Sequence, residues 1–388
     1  MSAMQATGPA SANTPAGRAS PDSPAGPALP EPALGTVGDA VRRPGSAEGR
    51  AGAAPRPIRA RLALTLLGFG AIAVLACLLA PLVGPTHVSL VRAFDRSIPF
   101  ADNVDAQIFF IARLPRVIAA ALVGAALASA GVVFQAMLRN PLATPFTLGV
   151  SAGASLGAML VIILGTTAAL GPLSPVPLAS LAGSALATAV VYWLAKPSGR
   201  AISTSVLLLA GVTLNSFFSA LIMFTQYLAD FSQVYRAARW LMGDLDVGGF
   251  GPIVAALPLM AIAFVMFAML PSTLNLLSVG NDAAAARGVD VGGAQRLAFI
   301  SASLATAAAV SLAGPIGFIG IIVPHFVRLV VGVDHRIVLP ASALCGAAFL
   351  VACDLAARAL FGGLEIPVGV VTAILGGPFF LWLLVRKG

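Results

Sequence analysis

Lysine is nearly missing from this chain: of 23 basic residues, only Lys196 and Lys387 are not arginine. Neither stands in the G-x-x-x-x-G-K-[ST] pattern whose backbone amides cradle phosphates, so the chain is expected not to hydrolyse ATP by itself. Cysteine is as sparse. Cys77, Cys345 and Cys353 each fall in an apolar run without C-x-x-C spacing, which argues against a metal centre and a disulfide framework and reads as small apolar packing. Charge of either sign is scarce, at 10% of residues against about 25% in a globular average. The net charge of +8 suggests nucleic acid, but no arginine cluster is interleaved with aromatics, and the positive charge gathers in the N-terminal stretch and the short loops. What remains is apolar. With 58% hydrophobic residues and a mean hydropathy of +0.94, the chain reads as a polytopic membrane protein.

Residues 1–57 are Pro, Ala, Gly and Ser with little aromatic or β-branched content, so they cannot bury enough surface to offset ordering entropy and read as a disordered cytoplasmic tail. The first apolar run starts only at Leu62, too deep for a usual signal peptide and long enough to stay in a bilayer. Arg56, Arg59 and Arg61 before it place the N-terminus in the cytoplasm. Apolar runs then predict ten spans, at 62–83, 116–138, 146–164, 176–194, 203–227, 251–270, 295–313, 316–331, 337–360 and 367–385, which returns the C-terminus to the same side. The expected architecture is all-α, a ten-helix membrane domain at 58–388 with a polar cytoplasmic insertion at 271–296. Residues 116–227 and 295–385 could form two inverted repeats of four helices each.

Gly149, Gly153 and Gly157 recur every fourth residue and share one helix face, which lets another backbone approach closely. On the predicted outer side lie Arg92, Arg96, Arg113, Arg116, Arg236, Arg239 and Arg358, which fit headgroup anchoring or docking of an acidic soluble partner. Asp354 is the acid inside a predicted span, and Arg358, one turn on, can pair with it, so no proton relay is visible. In the 271–296 insertion, Ala283 to Arg287 favours helix, with Asn281 or Asp282 as cap and Gly288 as stop. His325 reads as a packing or loop-bonding residue. The span containing Pro315, Gly317, Gly320 and Pro324 is short and interrupted, as transporter cores often are.

Six motifs occur in order: R-L-P-R at 113–116, G-A-A-L-A-x-x-G-x-x-x-Q at 124–135, R-N-P-L-A-T-P-F-T-L-G-V-S-x-G-A at 139–154, G-P-I-G-F-I-G-I-I-V-P-H-F-V-R at 314–328, D-H-R at 334–336 and E-I-P-V-G-V-V-T-A-I-L-G-G-P-F-F at 365–380. On them the chain, from about residue 62 onward, resembles the FecCD family, permeases of ABC importers for iron-siderophores, haem and vitamin B12. The resemblance implies the ten-helix fold of the vitamin B12 importer permease, working as a dimer with two cytoplasmic ATPase subunits and a periplasmic or lipid-anchored binding protein. It implies that ATP and magnesium are held by those separate subunits, with no cofactor or metal in this chain.

Carried over by position, the resemblance assigns Arg113, Arg116 and Arg358 to binding-protein docking. It assigns Asn140, Leu142, Thr204 and Ser205 to a cytoplasmic gate, and Thr213, Asn215, Ser216 and Ser219 to the wall of the path. Gly280, Arg287 and Gly288 mark the segment that couples to the ATPase. The expected function is inward movement of an iron chelate across the bacterial cytoplasmic membrane. N-P-L-A-T-P-F-T-L-G-V-S sits nearer ferric-siderophore members than haem or cobalamin ones, which are the alternative cargoes. An ion-coupled carrier, the rival from another class, would need an acid in the path. A lipid-modifying enzyme would need a paired aspartate motif for magnesium, which the sequence does not contain.

Overall fold

The computed structural model describes residues 58–165, 174–195, 202–360 and 366–387. The tail expected to be disordered lies outside the described residues, as do Arg56, Lys196, Arg200 and Glu365. Among the described residues every regular element is helical. The chain begins with α1 (Ile58–Leu79), which tightens into a 3-10 turn at Ala80–Leu82. The short α2 (Leu90–Ala93) and α3 (Val104–Gln107) follow, and a π-helical turn at Ile108–Arg113 runs straight into α4 (Leu114–Leu138). Next come α5 (Val150–Leu164), α6 (Pro175–Ala195), α7 (Thr204–Leu228), α8 (Phe231–Leu241) and α9 (Gly251–Met269). The polar insertion folds as α10 (Pro271–Val279) and α11 (Asn281–Ala286), and the chain ends with α12 (Val291–Ala313), α13 (Ile319–Val331), α14 (His335–Ala359) and α15 (Val368–Lys387).

Seven of these segments are long and apolar enough to cross a bilayer, and α5, α13 and α15 are shorter apolar helices. Together they coincide with the ten expected spans, with one consequential shift. The second span begins at Val104 instead of 116, which puts Arg113 and Arg116 inside it. At about 1.5 Å per residue, α5 and α13 reach only about 22 and 20 Å, less than the roughly 30 Å of hydrocarbon. Non-helical chain covers the difference, and it survives at that depth because protein surrounds it. Before α5, Thr144 and Thr147 cap each other's backbone around the Pro145–Leu148 turn, and Ala143, Thr144, Pro145 and Leu148 are buried.

The halves interlock. Within α4–α7, α5 packs on α6 and α7; within α12–α15, α13 packs on α14 and α15. The first helix of each set crosses over: α4 packs against α13 and α14, α12 against α5 and α6, and the two meet each other. The first helices of the two halves run antiparallel, with Phe134 near the end of α4 against Phe299 near the start of α12, in keeping with the expected inverted repeats. Burial follows the same plan, with 78% of the α4 and α12 windows inside the protein against 11% for α1.

Crossing helices this closely requires small residues, because lipid offers no hydrophobic drive for helices to associate. A Cβ added to Gly124 of α4 would fall on the carbonyl of Gly346 in α14, and one added to Gly131 on the backbone of Gly320 in α13. We therefore expect Gly124→Val to lower the melting temperature in detergent sharply, at or above the upper end of the usual 1–3 kcal/mol for overpacking. Gly68→Ala, where an added Cβ meets nothing within 4 Å, should leave it unchanged.

Candidate functional site

At the end of the bundle where α4 begins, three guanidinium groups are turned inward. Arg116 Nε donates to Asp354 Oδ1 at 2.8 Å and Arg358 Nε to Asp354 Oδ2 at 2.9 Å. Asp354 is fully buried, and Arg113, Arg116 and Arg358 are each more than nine-tenths buried. Further donors of Arg358 and Arg113 reach the main chain that leaves α1. Arg358 donates to the carbonyls of Val83 and Ala80 at 3.2 and 3.4 Å, and Arg113 to Pro81 O at 3.0 Å and to Thr86 O. Those carbonyls include the unsatisfied end of a helix, where the backbone dipole favours cations. The expected Asp354–Arg358 pair is present, and Arg116, 238 residues away in sequence, completes it. The three arginines assigned to docking are thus committed inward. The exposed arginines of the same end are Arg92, Arg96, Arg236 and Arg239.

At the opposite end, α10 is fastened to the first turn of α14. Asn275 Nδ2 donates to Asp334 Oδ1 at 2.7 Å, while Asn275 Oδ1 accepts from the His335 backbone N at 2.9 Å and lies 2.7 Å from His335 Nδ1. Burial acts to raise the Asp334 carboxyl, but the Asn275 amide, the Arg336 N–H and the neighbouring Arg336 and His335 hold it below the ordinary carboxylate value. Beside this contact Gln135 Oε1 accepts from Arg328 at 2.6 Å, and Gln135 Nε2 donates to Gly320 O at 2.8 Å. An open cleft of about 540 Å³ lies here, with Arg139, Asn140, Asn275, Arg328 and Asp334 on its wall.

The 271–296 insertion is more helical than expected, because Pro271 at N1 starts α10 with a preset backbone. Asn281 and Asp282, expected as caps, lie within the first turn of α11, whose N-cap is Gly280. Gly288 does end the helix, with φ +81°, and Arg287 and Gly288 are exposed.

Between the two ends, α5 and α7 enclose a groove of about 460 Å³ whose polar lining is Ser151, Ser155, Asn215, Ser219 and Gln226. Among the described residues no ionisable side chain lines it. Two of the residues assigned to the path, Asn215 and Ser219, are here, although Asn215 Nδ2 also holds Phe146 O at 2.7 Å. Thr213 and Ser216 lie off it, exposed, with the Ser216 hydroxyl bonded back to Val212 O at 3.2 Å. Ser151, Ser155 and Gln226 were missed. Their signal was the spacing, four from Ser151 to Ser155 and four then seven from Asn215 through Ser219 to Gln226, which places each set on a single helix face. Of the gate residues, Asn140 folds its own loop by accepting from Leu142 N at 2.9 Å, and Leu142 and Thr204 are half-buried while Ser205 is exposed. The turn at Pro145–Leu148 rests on α7, at Gly211. His325 packs edge-on against Phe379, with ring centres 5.8 Å apart, in keeping with a packing residue. Among the described residues no group of three or more His, Cys, Asp or Glu could hold a metal, and Cys77, Cys345 and Cys353 are free thiols.

A multi-pass helical chain in which two inverted halves exchange their first helices beside a neutral polar groove is a membrane transport protein. Residues 72–386 match the model of the FecCD transport family, and the chain belongs to that family. It is 44% identical over 274 residues to the cobalamin import permease BtuC of Halobacterium salinarum, covering 70% of this chain and 72% of the relative. With the ABC transporter permease YvrB of Bacillus subtilis the identity is 36% over 84% of this chain and 94% of the relative. With the hemin transport permease HmuU of Yersinia pestis it is 36% over 71% and 82%. A solved structure described as an inward-facing conformation of a metal-chelate type ABC transporter superimposes with a TM-score of 0.73 at 30% identity, covering 84% of this chain and 99% of that one.

Removing one partner of a buried ion pair costs about 3–5 kcal/mol, because the other charge stays buried without compensation. Asp354→Asn takes the carboxylate from two guanidinium groups at once, whereas Arg358→Met leaves the Arg116–Asp354 pair intact. Melting in detergent should therefore fall further for Asp354→Asn than for Arg358→Met.

Proposed function

We propose that this chain is the membrane permease of an ATP-binding-cassette importer that moves a ferric siderophore into the bacterial cytoplasm. The observation that carries the reading is the groove between α5 and α7, lined by hydroxyl and amide groups with no ionisable side chain among the described residues. Such a wall can pass a bulky chelate through weak, exchangeable hydrogen bonds, but it offers no side chain to take up the proton that would drive a proton-coupled carrier. The driving force then comes from outside the chain. Two copies of the permease enclose the path, two cytoplasmic ATPase subunits bind ATP and magnesium, and a periplasmic or lipid-anchored protein delivers the cargo. Both termini, the Asn140 loop and α10–α11 face the cytoplasm, where Arg287 and Gly288 meet the ATPase. Asn140, Leu142, Thr204 and Ser205 mark the inner gate, with the Pro145–Leu148 turn on α7 as its moving part. Arg113, Arg116 and Arg358 serve docking from beneath by fixing the ends of α1, α4 and α14, and the exposed Arg92, Arg96 and Arg236 meet the acidic surface of the binding protein. A second reading, cobalamin as cargo, is supported by the 44% identity with the Halobacterium permease.

Proteoliposomes holding the permease, its ATPase and its binding protein should take up ferric siderophore when ATP is supplied and continue when an ionophore collapses the proton gradient. Uptake of cobalamin or haem in place of the siderophore would correct the cargo, and arrest by the ionophore would overturn the ATP-driven reading. Arg92→Glu combined with Arg96→Glu should abolish stimulation of ATP hydrolysis by the binding protein without lowering the melting temperature. Unchanged stimulation would remove the docking assignment.

A further inference from the structure

The Asn275 amide can be oriented from its partners alone. A carboxylate only accepts, so the amide nitrogen must face Asp334; the carbonyl oxygen then faces His335, whose backbone N–H only donates. That oxygen lies 2.7 Å from His335 Nδ1, so Nδ1 carries a proton there. One side chain of α10 therefore grips α14 through three contacts across 59 and 60 residues of sequence. On either side of it Leu274 and Leu277 are buried, seating α10 on the bundle. Apolar packing of that kind is non-directional and permits sliding, whereas a three-point hydrogen-bonded grip holds register.

Beyond the grip in one direction lies α11, which ends at the exposed Arg287 and Gly288. In the other direction α14 runs 19 residues, about 29 Å, from His335 to Asp354, and one turn more to Arg358. We infer that Asn275 is a positioning residue that joins α10 and α14 into one mechanical unit, so that displacement of α11 at one membrane face is delivered to the Asp354 ion pair at the other. The inference rests on the proposed ATPase partner at α11. It assigns to Asn275 no contact with cargo or nucleotide.

The test uses the reconstituted importer. Cargo-dependent ATP hydrolysis by the unaltered complex is established first, and its absence would overturn the proposed function. In Asn275→Ala, ATP hydrolysis should persist while cargo moved per ATP falls by about 5- to 150-fold, the usual range of coupling between linked sites. Probes on the exposed Asp282 of α11 and on Leu360, each replaced by cysteine in a chain lacking Cys77, Cys345 and Cys353, should both report ATP-dependent movement when Asn275 is present. In Asn275→Ala only the probe at 282 should move. Asn275→Cys with Asp334→Cys, joined by a short thiol cross-linker, should regain the lost transport, which a mere folding defect would not. Unchanged cargo per ATP in Asn275→Ala, movement of both probes in it, or arrest on cross-linking would each overturn the inference.

Discussion

A guanidinium buried at the end of a membrane helix must be answered by oxygen, since no water is available to do so. Three are buried at one end of this bundle, and a single carboxylate answers two of them. Arg113 and Arg358 also take oxygens from the main chain beyond α1, so the same cluster sets the register of α4 against α14 and holds α1, the least buried of the seven long spans, to both. Arg116 and Arg358 are fixed by Asp354 to within hydrogen-bond distance. That precision is passed along α4 and α14 by the contact of Gly124 with Gly346, which leaves no room for either helix to slip.

The crossing of first helices gives the transport reading its mechanical sense. If each half packed only on itself, the two could drift apart under load; with α4 seated in the second half and α12 in the first, a tilt in one set is felt in the other. The groove between α5 and α7 lies within the first set, and the inverted second set carries the contact with α10. Rocking of one repeat against another is the general route to alternating access in such folds.

Much of this was legible in residue order. The ten apolar runs coincide with ten helices, because the need to satisfy backbone groups in lipid leaves few alternatives. The Asp354–Arg358 pair was legible because one turn of helix brings the two together, and Arg116 was not, because nothing local links residues 238 apart. The polar residues at 105 and 113 broke the apolar pattern and set the predicted start of the second span too late. Amphipathic α8 was overlooked although its capping box, Asp230 with Gln233, is a local signal. The grip of Asn275 on Asp334 and His335 left no trace at all, since an asparagine in a polar insertion looks like any loop residue.

The attachment of α1 is made to main-chain oxygens at Ala80, Pro81, Val83 and Thr86. Main-chain carbonyls are the same whatever side chain they carry, so the hold is indifferent to residue type along the lipid-facing surface of that helix. Apolar substitutions there can accumulate freely, adapting the rim of the protein to membranes of different thickness and composition, while the interior keeps one unchanging socket for whatever helix ends in it.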